Sequence, residues 1–105
     1  MTMRSRKPRV YITYPVTPTR RFGLHVDDAF ESESPADAAI WGTAIANTIQ
    51  SRLQGERECP EAALIVELTT PTPERYRGLL ERAISEAIRR VVGGRFASVV
   101  CQVRG

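Results

Sequence analysis

SPADAAIWGTAIANTIQSRLQG, residues 34–55, is the stretch whose reading decides the fold. Ser34 stands as an N-cap, Pro35 as the first helical residue, and Asp37 completes a Ser-x-x-Asp capping box. Ala38, Trp41, Ile45, Ile49 and Leu53 then recur at three- and four-residue steps, which places them on one helix face. Gly55 supplies the stop. A second helix is predicted from Thr72 as cap, with Pro73 and Glu74 in its first turn. Its buried stripe is Tyr76, Leu80, Ala83, Ile84, Ala87 and Val91, and Gly93-Gly94 ends it.

The segments around these helices carry strand patterns. Val10 to Val16 is β-branched and aromatic with apolar residues at alternate positions. Residues 17–21 read as a turn, and Phe22, Leu24 and Val26 as a second alternating strand. Between the helices, Ala62 to Thr69 puts Ala62, Leu64, Val66 and Leu68 on one side. Phe96 to Val103 puts Ala97, Val99, Cys101 and Val103 on one face. The order β-β-α-β-α-β predicts an α+β two-layer sandwich, a mixed four-stranded sheet with both helices on one face. Residues 1–8 read as a flexible basic arm and residues 9–105 as a single α+β domain.

A chain of 105 residues with 42% hydrophobic and 26% charged residues is of ordinary globular composition and large enough for one core. No apolar run approaches the roughly 18 residues of a membrane span. The basic start is followed by no apolar h-region, so no secretory signal is expected. Two cysteines, Cys59 and Cys101, make no disulfide framework, and a cytoplasmic location is the simplest expectation.

The net charge of +3 conceals an uneven distribution. Residues 1–21 carry Arg4, Arg6, Lys7, Arg9, Arg20 and Arg21 and no acid, residues 22–74 are net −8, and residues 75–105 are net +5. The six basic residues at the start, interleaved with Tyr11, Tyr14 and Phe22, are candidate nucleic-acid contacts. The signal is compositional: no helix-turn-helix, zinc-finger or RNA-recognition signature accompanies it.

The two helices differ in surface chemistry. The second has eight charged residues between Glu74 and Arg90, an ordinary solvated face with i, i+4 pairs. The first has none from Ala38 through Ser51, fourteen positions in a row. Opposite its core stripe lie Ala36, Ile40, Thr43, Ala44 and Asn47, residues suited to close approach by another element. Either the acidic segment or the leading arm folds over them, or a partner does, or the face is simply an exposed one. Charge depletion marks the core of protein interfaces. The sheet face away from the helices is expected to show Tyr11, Thr13, His25, Ile65, Glu67, Phe96, Ser98 and Val100. Of these, Tyr11, Ile65 and Phe96 join Ile40, Thr43, Ala44 and Asn47 as candidate partner-interface residues.

Signals for chemistry are weak. His25 is the only histidine and lies near Asp27 and Asp28, an arrangement that could orient a general base. Period two alone puts His25 and Asp27 on one side of a strand, and no nucleophile stands nearby in sequence. Asp27, Asp28, Glu31 and Glu33 do not have EF-hand spacing, and one histidine with two distant cysteines matches no zinc site. No metal site or cofactor is expected. The function expected is a non-enzymatic, cytoplasmic protein–protein interaction module, oligomeric or regulatory, that uses the uncharged helix face. The alternatives are a nucleic-acid binder using the basic arm and hairpin turn, and a small enzyme around His25 and the Asp27/Asp28 cluster.

Overall fold

The computed structural model describes residues 8–13, 21–54 and 59–105, with the backbone alone of residues 59–61. Its elements are β1 (Val10–Ile12), β2 (Arg21–Val26), α1 (Pro35–Leu53), β3 (Cys59–Thr69), α2 (Glu74–Val92) and β4 (Phe96–Arg104). A single 3-10 turn over Gly93–Arg95 leads from α2 into β4. The β-β-α-β-α-β order is the one expected, and the sheet order is β1-β2-β3-β4. β1 is antiparallel to β2, while β2, β3 and β4 run parallel. Each parallel step is spanned by one helix, as parallel strands require a long crossover.

Register aligns the apolar positions into rows across the sheet. Phe22, Val66 and Cys101 form one row and Leu24, Leu68 and Val103 the next, while Leu64 lies beside Val99. All of these side chains are buried beneath the helices. The opposite rows are Arg21, Ile65 and Val100; Gly23, Glu67 and Gln102; and Tyr11, His25, Thr69 and Arg104.

The start of α1 is built as its sequence implies, with one addition. The Asp37 N–H donates to Ser34 Oγ at 3.4 Å. Ser32 Oγ accepts from the Ser34 N–H at 3.1 Å and donates to Asp37 Oδ2 at 2.6 Å. Ser32 thus relays the carboxylate to the cap residue, the role a longer Glu plays in the standard box. Gly55 lies outside the described residues, and Gln54 is the C-cap.

Three expectations need correction. Thr72 is not the cap of α2; Pro73 occupies that position without a side-chain bond. Thr72 Oγ1 instead accepts from the Phe30 N–H at 2.9 Å and pairs with Thr70 Oγ1 at 2.9 Å. Thr70 Oγ1 donates to the Asp28 carbonyl at 2.7 Å, so two buried hydroxyls satisfy each other and the neighbouring loop. Next, Phe96 is a core residue at 7% exposure, not an outer-face residue, and Ala97 is exposed rather than buried. The alternation of β4 breaks at Ala97 and Ser98, both exposed, beside a register irregularity in which β3 advances from Cys59 to Ala63 while β4 advances only from Phe96 to Ser98. Finally, Ile12 on the edge strand is 36% exposed rather than covered by the helices, although Val10 packs against the core.

α1 and α2 meet at Gly42. A Cβ placed there would lie 2.6 Å from the Ala83 carbonyl oxygen and 2.9 Å from its carbon. Gly78 on α2 is exposed, and a Cβ there would meet nothing within 4 Å. Gly42→Ala is therefore expected to destabilise by about 1–3 kcal/mol through overpacking against backbone. Gly78→Ala should stabilise by about 0.8–1 kcal/mol through helix propensity alone. Urea unfolding midpoints at unchanged slope measure both.

Candidate functional site

α1 is flanked on two sides within the fold. Ala38, Trp41, Ile45, Ile49 and Leu53 enter the core, with Trp41 edge-on to Phe30 at 5.3 Å between ring centroids. Gly42 and Ala46 are also buried. The remaining surface is Ala36, Ala39, Ile40, Thr43, Asn47 and Gln50, all exposed, with Ala44 and Thr48 half-buried. Thr48 Oγ1 donates to the Ala44 carbonyl at 3.1 Å, so its hydroxyl is satisfied within the helix. Ile40 is 38% exposed at the centre of this stripe. Thr43 and Ala39 also form one wall of a shallow groove of about 180 Å³ between α1 and α2, whose opposite wall holds Leu79 and Ala83 together with the charged Arg82, Glu86 and Arg90.

The acidic segment does not roof the stripe. Phe30, in its middle, is 3% exposed and turns into the core against Trp41 and Tyr76. The arm at residues 1–7 lies outside the described residues, so Arg4, Arg6 and Lys7 do too, as do Tyr14 and Arg20. Arg9 and Arg21 are exposed.

The sheet face away from the helices is only partly apolar. Val100 is 43% exposed beside the half-buried Ile65, and Tyr11, two rows away, is 44% exposed. Glu67 on the central strand stands 3.8 Å from Arg21 and 3.9 Å from Arg104, one on each neighbouring strand. Arg104 also donates to Gln102 Oε1 at 3.2 Å. Both arginines are largely exposed, so each pair contributes little to stability. Glu67 nonetheless offsets half of the positive charge that the two arginines bring.

His25 Nε2 lies 2.7 Å from Asp27 Oδ1, at an exposed position beside Tyr11. The structure brings those two residues together, whereas Asp28 contributes its carbonyl to Thr70. Among the described residues no serine, threonine or cysteine hydrogen-bonds to His25, and no group of three or more His, Cys, Asp or Glu is placed to hold a metal. Among the same residues no helix is long and apolar enough to cross a membrane.

Four residues that matter structurally were missed by the sequence reading. Phe30 was hidden in an acidic run, although a lone aromatic among charges is itself a burial signal. Gly42 could have been flagged, because an interior helix glycine often marks close approach. Thr70 and Glu81 gave no local signal. Comparison of the chain with protein families, curated proteins and solved structures finds no match.

Cys101 is buried against α2. Burial, aided by the nearby Glu81 carboxylate, pushes its thiol up to about 12 from 9.0. The folded state then holds the proton more tightly than the unfolded chain does, so this contribution is intact below pH 9 and is lost as pH rises towards 12. Wild-type protein is expected to lose more stability between those limits than Cys101→Ala does. The Cys101 peptide should resist iodoacetamide at pH 8 until denaturant is added, read by mass spectrometry.

Proposed function

We propose that this protein is a non-enzymatic interaction module that binds protein through the uncharged outer stripe of α1, in the first place a second copy of itself. The observation that carries the reading is Ile40, 38% exposed within a stripe free of charge, in the same layer as an α2 surface dense with arginine and glutamate. A helix facing only water has no reason to differ so sharply from its neighbour. Ala39, Thr43 and Ala44 allow a partner's backbone to approach closely, while Ile40 supplies an apolar anchor. Ile65 and Val100 form a second, weaker apolar area on the far side of the sheet, with Tyr11 two rows away beyond Glu67. A homo-oligomer or a regulatory pairing with a larger protein would use the same stripe.

A second reading draws on the open sheet face. Tyr11 and His25 present rings 6.5 Å apart there, with Arg21 and Arg104 on the same face. Rings beside cations favour single-stranded nucleic acid. Glu67 between the two arginines counts against it, and so the protein-binding reading is preferred. Filter binding at low salt, with no retention of single-stranded oligonucleotide, would remove this second reading.

Light scattering on the wild type should give a mass that is a multiple of the 11.7 kDa chain. Ile40→Arg and Ala44→Glu are each expected to reduce it to one chain while circular dichroism keeps its folded spectrum. A wild-type mass of one chain at millimolar concentration, unchanged by Ile40→Arg, would overturn self-association through α1.

A further inference from the structure

β4 is the nine-residue edge strand of the sheet, paired only with β3. The Thr70 N–H donates to the Arg104 carbonyl at 2.8 Å, so the Arg104 peptide faces β3. Strand alternation then turns the peptide groups of Val99, Cys101 and Val103 outward. An open edge of this length, rich in valine, is a template for another strand. Among the described residues the outward N–H groups of Val99 and Cys101 have no hydrogen-bond partner. Val103 differs. Its N–H donates to Glu81 Oε2 at 2.8 Å, from a side chain that reaches over from α2.

We infer that Glu81 guards this edge and prevents β4 from adding, antiparallel, to the β4 of a second copy of the chain. The occupant follows from charge and register. Antiparallel pairing centred on Cys101 sets Val99 opposite Val103 of the second copy, Val100 opposite Gln102 and Ser98 opposite Arg104. No like charges meet, and apolar residues face apolar residues on the helix-covered side. In that register the outward groups of Val99 and Val103 form a hydrogen-bonded pair. The Val103 N–H is the donor that pairing requires, and it is the one Glu81 occupies. The contact repeats by symmetry, so each copy blocks one end of the ladder. A carboxylate acceptor on a backbone N–H makes a charge-assisted bond stronger than the neutral ladder bond it displaces. This role is independent of the α1 surface.

The test compares Glu81→Ala and Glu81→Gln with the wild type by light scattering over a concentration series, with amide hydrogen exchange at Val99, Cys101 and Val103. Alanine favours helix, and an unchanged circular dichroism spectrum establishes that Glu81→Ala keeps its fold although the Val103 N–H loses its acceptor. The variant's mass is expected to rise at least twofold relative to the wild type, and the Val99 and Cys101 amides to gain at least tenfold protection. Glu81→Gln keeps a carbonyl acceptor and should hold the wild-type mass. The inference is overturned if Glu81→Ala stays at the wild-type mass while its Val103 amide merely exchanges faster. A raised mass without new protection at Val99 and Cys101, or an equal rise in Glu81→Gln, overturns it as well.

Discussion

The close approach of the two helices at Gly42 is the constraint on which the rest of the structure depends. Four strands at about 4.8 Å spacing set their outer axes only about 14 Å apart, whereas two helices need 8–10 Å between their axes to lie side by side. Both helices fit over one face only if they nearly touch. Gly42 against the Ala83 carbonyl provides that contact. Leu24, Leu64, Val66 and Leu68 are fully covered as a result, with Ile45, Ile49, Leu80 and Ile84 above them.

The same constraint divides the uncharged run of α1 between two causes. Gly42 and Ala46 carry no charge because they are buried, and Trp41, Ile45 and Ile49 because they fill the core. Ile40, Thr43 and Asn47 have no such reason; they are exposed and still uncharged. Those few positions, not all fourteen, are the ones whose lack of charge the fold itself does not explain. α2 provides the internal control, since it packs on the same sheet and lines its outer surface with Arg82, Glu86, Arg89 and Arg90.

Much of this architecture was legible before any coordinates, for a physical reason. Period-two alternation in residues 22–26 and 64–68, and the three- and four-residue steps of residues 38–53, are imposed by burial on one side, and burial is what apolar residues record. Legibility failed where geometry departs from its period. Beside the irregularity at the start of the β3–β4 pairing, β4 breaks its alternation, and Phe96 is buried where Ala97 is exposed. It failed again for long-range polar bonds. Nothing in a window around Thr72 reveals that its hydroxyl is engaged by Phe30, forty-two residues away. By sequence Glu81 is simply one of the charges on the solvated face of the second helix, whereas its carboxylate bonds the Val103 amide. For the candidate interface, residue type sufficed to mark Ile40, but which neighbours stay outside could be known only once α2 was seen to cover the Gly42 side.

The paired hydroxyls of Thr70 and Thr72 have a consequence for how the domain comes apart. They fasten the segment leaving β2 to the segment leaving β3, through Asp28 and Phe30. The two crossovers therefore set out from a shared clasp. Loosening either one strands a buried oxygen on the other, so that end of the molecule is built to fray as one cooperative unit, not as two separate loops.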